Sequence, residues 1–344
     1  MLNAGTGFDS GSSLPARASL IMNRRTRRTL LIVTALLLLL ALAVFLRSKA
    51  PPEAARLLPE SDGIIYVDLR PIRAIFHHDL KPVQRVPDYQ QFVDATGIDW
   101  ERDVNQIAIA LHRMPDPNGP NGPVAYSMVI VGKITGRRLN DWLGAHATSR
   151  EIYSGHTIYS IPSEGRIVRV TQIGYDTVAV SNTPTPEQIH SILDRHRTAA
   201  LPFAGSALLE RYYHSLPLLS VAWGVGQVGL PFNESGEVHI LGLGLPIESD
   251  STIIASVSPA LPLPHAIGAL RLRIEDIAPS NSAAITEAAD LATLVTLARG
   301  ISLPAGDNKT QQGVKNLLDT AEVSQHNDQV IVTATLPASF LASL

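Results

Sequence analysis

The chain has 344 residues, 45% hydrophobic and 17% charged, with no cysteine, so disulfides, thiolate nucleophiles, iron–sulfur clusters and Cys-ligated zinc are excluded. Residues 1–50 hold seven of the 28 Lys/Arg and one of the 31 acids, which leaves 51–344 with 21 basic and 30 acidic residues, a net charge of −9. An acidic body is a poor match for a phosphate backbone, so no nucleic-acid partner is expected.

In chain order, residues 1–28 read as a disordered, basic cytoplasmic tail. Met22 opens a compact charged start directly before the apolar run, so residues 1–21 read either as an over-extended start or as part of that tail. Residues 29–46, TLLIVTALLLLLALAVFL, carry two threonines and no charge. As a helix they would measure about 27 Å, close to a bilayer core, and a soluble helix would keep a polar stripe. A single transmembrane helix is therefore expected, with the lipid bilayer as partner. Arg24, Arg25, Arg27 and Arg28 precede it, against Arg47 and Lys49 after it, so the N-terminus should stay cytoplasmic. Ser48-Lys49-Ala50 resembles a signal-peptide cleavage site, but Pro51 follows it and the apolar run is long, which favours an uncleaved anchor in an inner membrane with the bulk of the chain periplasmic.

Residues 47–58 read as a stiff, extended linker because of Pro51-Pro52. Two α+β halves are expected after it, 59–200 and 201–344. In the first, strands are predicted at Ile64–Leu69, Val104–Leu111, Val124–Val131, Thr157–Ile161, Ile167–Ile173 and Thr177–Val180. Helices are predicted from Pro71, over Asp88–Ala95, over Arg137–Ala147, and from a Thr185/Gln188 capping box to about Arg197. Two Asn-Gly steps in Pro115–Pro123 make a long hairpin loop. In the second half, Ser206 caps a helix to Tyr213. Strands follow at Leu218–Val225, Val238–Leu243, Thr252–Val257 and Ile267–Ile274. A long helix capped by Ser280–Ser282 runs to Arg299, with Ile285, Ala288, Ala292 and Val295 as its buried stripe. Gln311–Leu318 is helical, and Glu322–Ser324 pairs with Val330–Thr335. Short links between strands make antiparallel neighbours, so the expected fold class is α+β: mostly antiparallel sheets with helices on one face, arranged as two related halves.

The motifs are weak. Gly224-x-Gly226-x-x-Gly229 matches a dinucleotide fingerprint, but Pro231, Asn233 and the Ser235-Gly236 turn leave no room for the helix that would hold a pyrophosphate, so a glycine-rich strand is expected and no nucleotide. Eleven histidines include no His-x-His and no His-x-x-x-His pair, and His77-His78-Asp79 reads as surface polarity. His190 and Asp194 suit a helix-face pair, Asp68 a turn cap, and Ser206 a helix cap rather than a nucleophile. No catalytic residue is assigned, and neither cofactor-binding nor metal residues are expected.

The run Pro59–Leu69 (PESDGIIYVDL), with Gly97-Ile98-Asp99 before Asp103-Val104 and Leu245-Pro246 before the Thr252–Val257 strand, resembles uncharacterised, membrane-anchored bacterial exported proteins. The resemblance implies a bacterial envelope location and brings no activity. The resulting expectation is a single-pass envelope protein that is a binding or structural module for an envelope partner rather than an enzyme. The alternatives are a hydrolase with a spatially assembled site and an accessory subunit of a membrane complex.

Overall fold

In the computed structural model, the structure describes residues 29–40, 50–76, 86–119, 122–134, 136–198, 205–227, 238–240, 243–245, 251–260, 269–300 and 308–336. The chain divides into two units, Met1–Ser48 and Lys49–Leu344. In the first, residues 29–40 form helix α1, and every one of them is exposed. Among the described residues no helix is long and apolar enough to cross a membrane. Residues 1–28 of the expected tail and 41–46 of the expected span lie outside the described residues.

The second unit opens with a correction to the linker. Glu53–Arg56 is a helical turn, α2, and Ala54, Ala55, Leu57 and Leu58 are buried in the main core. Pro52 sits at the N-cap, where its missing N–H costs no helical bond, so Pro51-Pro52 starts a helix instead of holding the chain extended.

The remaining elements are β1 (Gly63–Asp68), α3 (Leu69–Phe76), α4 (Pro87–Thr96), α5 (Trp100–Asp103), β2 (Val104–Arg113), β3 (Val124–Gly132), α6 (Gly136–His146), β4 (Ser149–Tyr153), β5 (His156–Ser163), β6 (Arg166–Gln172), β7 (Thr177–Ser181) and α7 (Glu187–Thr198). Then come α8 (Ala207–Tyr212), β8 (Ala222–Gln227), β9 (Val238–Ile240), β10 (Leu243–Leu245), β11 (Thr252–Pro259), β12 (Leu270–Ile277), α9 (Asn281–Gly300), α10 (Asn308–Thr320), β13 (Glu322–His326) and β14 (Gln329–Leu336). Twelve strands form one sheet in the order β13-β14-β12-β11-β8-β1-β2-β3-β7-β6-β5-β4, and β9 pairs with β10 apart from it. The fold is α+β, and every pairing among the described residues is antiparallel.

Helices cover both faces of the first part of the sheet, not one. Ile64, Tyr66, Ala108, Ala110, Val129 and Ala179 share one cluster with α2, α7 and α8. Ile130, Val178 and Val180 point the other way and share a cluster with Leu139 and Leu143 of α6, with Phe92 of α4 packed against it. β2, β3 and β7 are apolar at consecutive positions, and a strand without a polar face needs cover on both sides.

One strand was not expected, and two further expectations are corrected. β4 reads SREIY and has no alternation to betray it, because it is the sheet's edge and Ile152 is 79% exposed. The strand expected from Leu218 begins at Ala222, since Leu218 and Leu219 form a turn in which Leu219 has φ 67°. On α9 the buried face is Ala284, Glu287, Leu291 and Ala298, while Ile285 is 54% exposed. These positions are about one residue out of phase with the predicted stripe, a rotation of about 100°. The small side chains of that face bring α9 against Val330, Val323 and Val332.

One glycine is fixed by close approach. Gly132 pairs with Val104 beside a bulge in β2. A Cβ at that position would press on the Asp103 carbonyl and lie 2.9 Å from Val104 Cα, both main-chain groups that cannot swing aside. Gly132→Ala should lower stability by about 1–3 kcal/mol. Urea unfolding of the variant checks this, and an unchanged midpoint would show that the strand has room to shift.

Candidate functional site

A cleft of about 590 Å³ opens at one end of the sheet, where Glu60–Asp62 enter β1, His112–Pro115 leave β2, and Thr183–Gln188 connect β7 to α7. Strand register builds the layer beneath it. Ala110 faces Ser127, His112 faces Ala125, and Ser127 faces Ser181, so His112, Ser127 and Ser181 lie on the same side of the sheet as Ala108 and Ala179. That side is the main core, which is why these polar groups are buried.

Buried polar groups need partners, and here they find one another. His112 Nε2 is 3.0 Å from Ser127 Oγ, which is 3.2 Å from Ser181 Oγ, itself 2.9 Å from Thr183 Oγ1. The Thr183 hydroxyl donates to the Thr185 carbonyl at 2.9 Å. Each hydroxyl has one proton to give, so the chain's direction is tied to the imidazole. With every hydroxyl donating toward Thr185, Nε2 must carry a proton and donate to Ser127. With Nε2 unprotonated, Ser127 donates to it instead and Ser181 can donate to Ser127, while Thr183 still donates to the Thr185 carbonyl. Burial pushes the His112 pKa below the ordinary histidine value of 6.5, against the opposing pull of the Asp62 carboxylate and the Glu60 main chain.

A His–Ser contact of 3.0 Å is the distance of a general base and its nucleophile. Ser127, however, is completely buried and its oxygen is also occupied by Ser181, so no carbonyl carbon can approach it. Of this chain, His112 and Thr183 line the cleft, and Ser127 and Ser181 tie them together beneath it.

The rim is charged. Glu60 accepts from Arg195 of α7 at 2.7 Å and from the Ala207 amide of α8 at 2.9 Å, tying both helices to the entrance of β1. Asp62 accepts from the Arg113 amide at 2.7 Å.

The residues singled out in the sequence are dispersed. Asp68 accepts from the Arg70 amide and pairs with its guanidinium at 2.6 Å, capping the turn into α3. Ser206 caps α8 by accepting from the Leu209 amide. His190 and Asp194 do not pair with each other. His190 lies 2.9 Å from Glu151 and stacks on Tyr153 at 3.8 Å, and Asp194 accepts from the Tyr153 hydroxyl at 2.8 Å. Together they clamp the edge strand β4 to α7. Gly224 and Gly226 lie inside β8, paired with β1 on one side and β11 on the other. Gly229 and His77-His78-Asp79 lie outside the described residues. Among the described residues no group of three or more His, Asp or Glu is placed to hold a metal ion. His112 and its partners were not singled out from sequence, although a histidine in phase with Ala108 and Ala110 on a predicted strand was the available signal.

The depressed His112 pKa carries a pH prediction. The unfolded histidine takes up a proton near its ordinary value, whereas the folded one resists until lower pH. The contribution of His112 is therefore present above about pH 6.5 and is lost as pH falls through the folded-state value. The urea midpoint should fall between pH 7.5 and 5.5, and His112→Gln should flatten that dependence. An identical pH profile in the variant would show that His112 is not the group responsible.

No protein-family model matches the chain, and no curated protein matches it. Among solved structures, crystal form III of TP0453 matches with a TM-score of 0.43 at 11% identity, covering 85% of this chain and 97% of that one. Crystal form I of TP0453 matches with a TM-score of 0.41 at 12% identity, covering 86% of this chain and 97% of that one.

Proposed function

We propose that the chain is a single-pass, membrane-anchored binding or structural module of a bacterial envelope. Residues 29–46 are the anchor, residues 1–28 are cytoplasmic, and the folded body stands on the far side of the membrane. The observation that carries this reading is α1, where nine leucine, isoleucine and valine side chains stand 46–66% exposed. Each gains about 1.5–3 kcal/mol on full transfer out of water. A helix apolar on all sides has no polar face to turn to solvent, and lipid satisfies all sides at once. The arginines before it favour the cytoplasmic N-terminus.

The body is read as a binder because the cleft at the entrance of β1 presents a rim of charged groups beside His112 and Thr183. We also read the sheet as two copies of one unit. Outward from β1 the order is β2, β3, β7, β6, and outward from β8 it is β11, β12, β14, β13. In both, a helix follows the third strand. The second reading, a hydrolase, is carried by the 3.0 Å His112–Ser127 contact and requires the buried Ser127 to become accessible. Ser127→Ala separates them, since a hydrolase would lose turnover of ester or amide substrates and a binder would lose none.

Reporter fusions after residue 60 test the anchor. A reporter active only outside the cytoplasm should work there, and alkaline carbonate should leave the chain in the membrane pellet. N-terminal sequencing of that material should find no cleavage at Ala50. A cytoplasm-restricted reporter that works at residue 60, or a mature chain beginning at Pro51, overturns the reading.

A further inference from the structure

A second cavity of about 590 Å³ lies between α9 and the strands β12, β13 and β14. Its lining includes three arginines, on a body whose net charge is −9. Arg271 and Arg273 are two positions apart on β12 and so share one face, and Arg299 comes from the last turn of α9.

The three groups are held differently. Arg273 pairs with the buried Glu275 at 2.7 Å. Arg299 donates from Nε to the Leu318 carbonyl at 2.8 Å and from Nη2 to the Ala321 carbonyl at 2.5 Å. Carbonyls fix that side chain's direction without neutralising its charge, and each fork keeps further N–H donors. Arg271 is exposed and has no protein partner among the described residues. Set against Glu275 and the lining Glu322, the three arginines leave the groove positive. The rest of the wall includes Ala292, Val295, Val323 and Ile331, an apolar strip beside the cations.

A planar guanidinium suits the paired oxygens of a phosphate or carboxylate, and the strip beside it suits alkyl carbon. We propose that this groove binds an anionic amphiphile, its phosphate or carboxylate head held by Arg271 and Arg299 and its apolar body lying along Val295 and Ile331. The head could be supplied by a membrane lipid or by a free phosphate ester. The inference does not depend on the anchor, because it concerns only residues of the folded body.

The test is calorimetric titration of the full chain in neutral detergent with hexyl phosphate, inorganic phosphate and 1-hexanol. Hexyl phosphate should bind once per chain and about tenfold more tightly than inorganic phosphate, and 1-hexanol should not saturate. Arg271→Gln should weaken hexyl phosphate about tenfold while leaving the thermal midpoint unchanged, since that exposed side chain has no partner among the described residues. Ala292→Trp, on the exposed side of α9, should remove the advantage of the hexyl chain and leave inorganic phosphate binding in place. Micelles doped with phosphatidylglycerol should compete if the head is a lipid's, and doping that fails to compete assigns the site to free phosphate esters. Absence of saturable hexyl phosphate binding, or an affinity unchanged in both variants, overturns the proposal. Equal affinity for inorganic and hexyl phosphate overturns the amphiphile assignment.

Discussion

The pairing of β1 with β8 is the constraint on which the rest of the body depends. It runs in register from Gly63 opposite Gly226 to Val67 opposite Ala222, and it makes one sheet of strands from both ends of the chain. Were it absent, two central strands would each expose a row of unpaired main-chain groups, the form of edge that proteins avoid. Side chains reinforce it on the core face. Tyr66 stacks on Trp223 at 5.4 Å, and Tyr213 meets the same indole edge-on at 5.9 Å. Burial raises the pKa of the Tyr66 phenol above the ordinary tyrosine range, with Asp68 adding to the effect, so the hydroxyl stays neutral in the core.

The same seam explains the glycine motif. Ala222, Gly224 and Gly226 alternate along β8 with Trp223 and Val225, which are buried. One face of the strand therefore carries bulk and the other carries almost none. The Gly224-x-Gly226 spacing is the two-residue period of a strand. The amides of Gly224 and Gly226 belong to a strand paired on both sides.

Legibility in the sequence followed physical locality. Helix starts written into side chains were readable, as at Ser206 and Ser280, each of which accepts from an amide three residues on. Hairpins were readable where turn chemistry was local, as between β2 and β3. What could not be read was set by distant partners. The α9 face was chosen by the strands it meets, so Ala284 and Leu291 went inward and Ile285 did not. β4 exists because β5 pairs with it and α7 clamps it, and its own residues carry no strand pattern. The polar chain joins residues 112, 127, 181 and 183, whose meeting required the register of three strands. The alternation that placed Ala108 and Ala110 inward was present in the sequence and would have placed His112 beside them.

Hydrogen exchange of the full chain, followed by mass spectrometry across a denaturant series, tests the seam most directly. Peptides covering Gly63–Asp68 and Ala222–Gln227 should exchange together, only through global unfolding, with the same denaturant dependence as those covering β3 and β7. Exchange of β8 through local opening, far faster than β3 and β7 at low denaturant, would contradict the account by showing that the two parts of the sheet are stable without being joined.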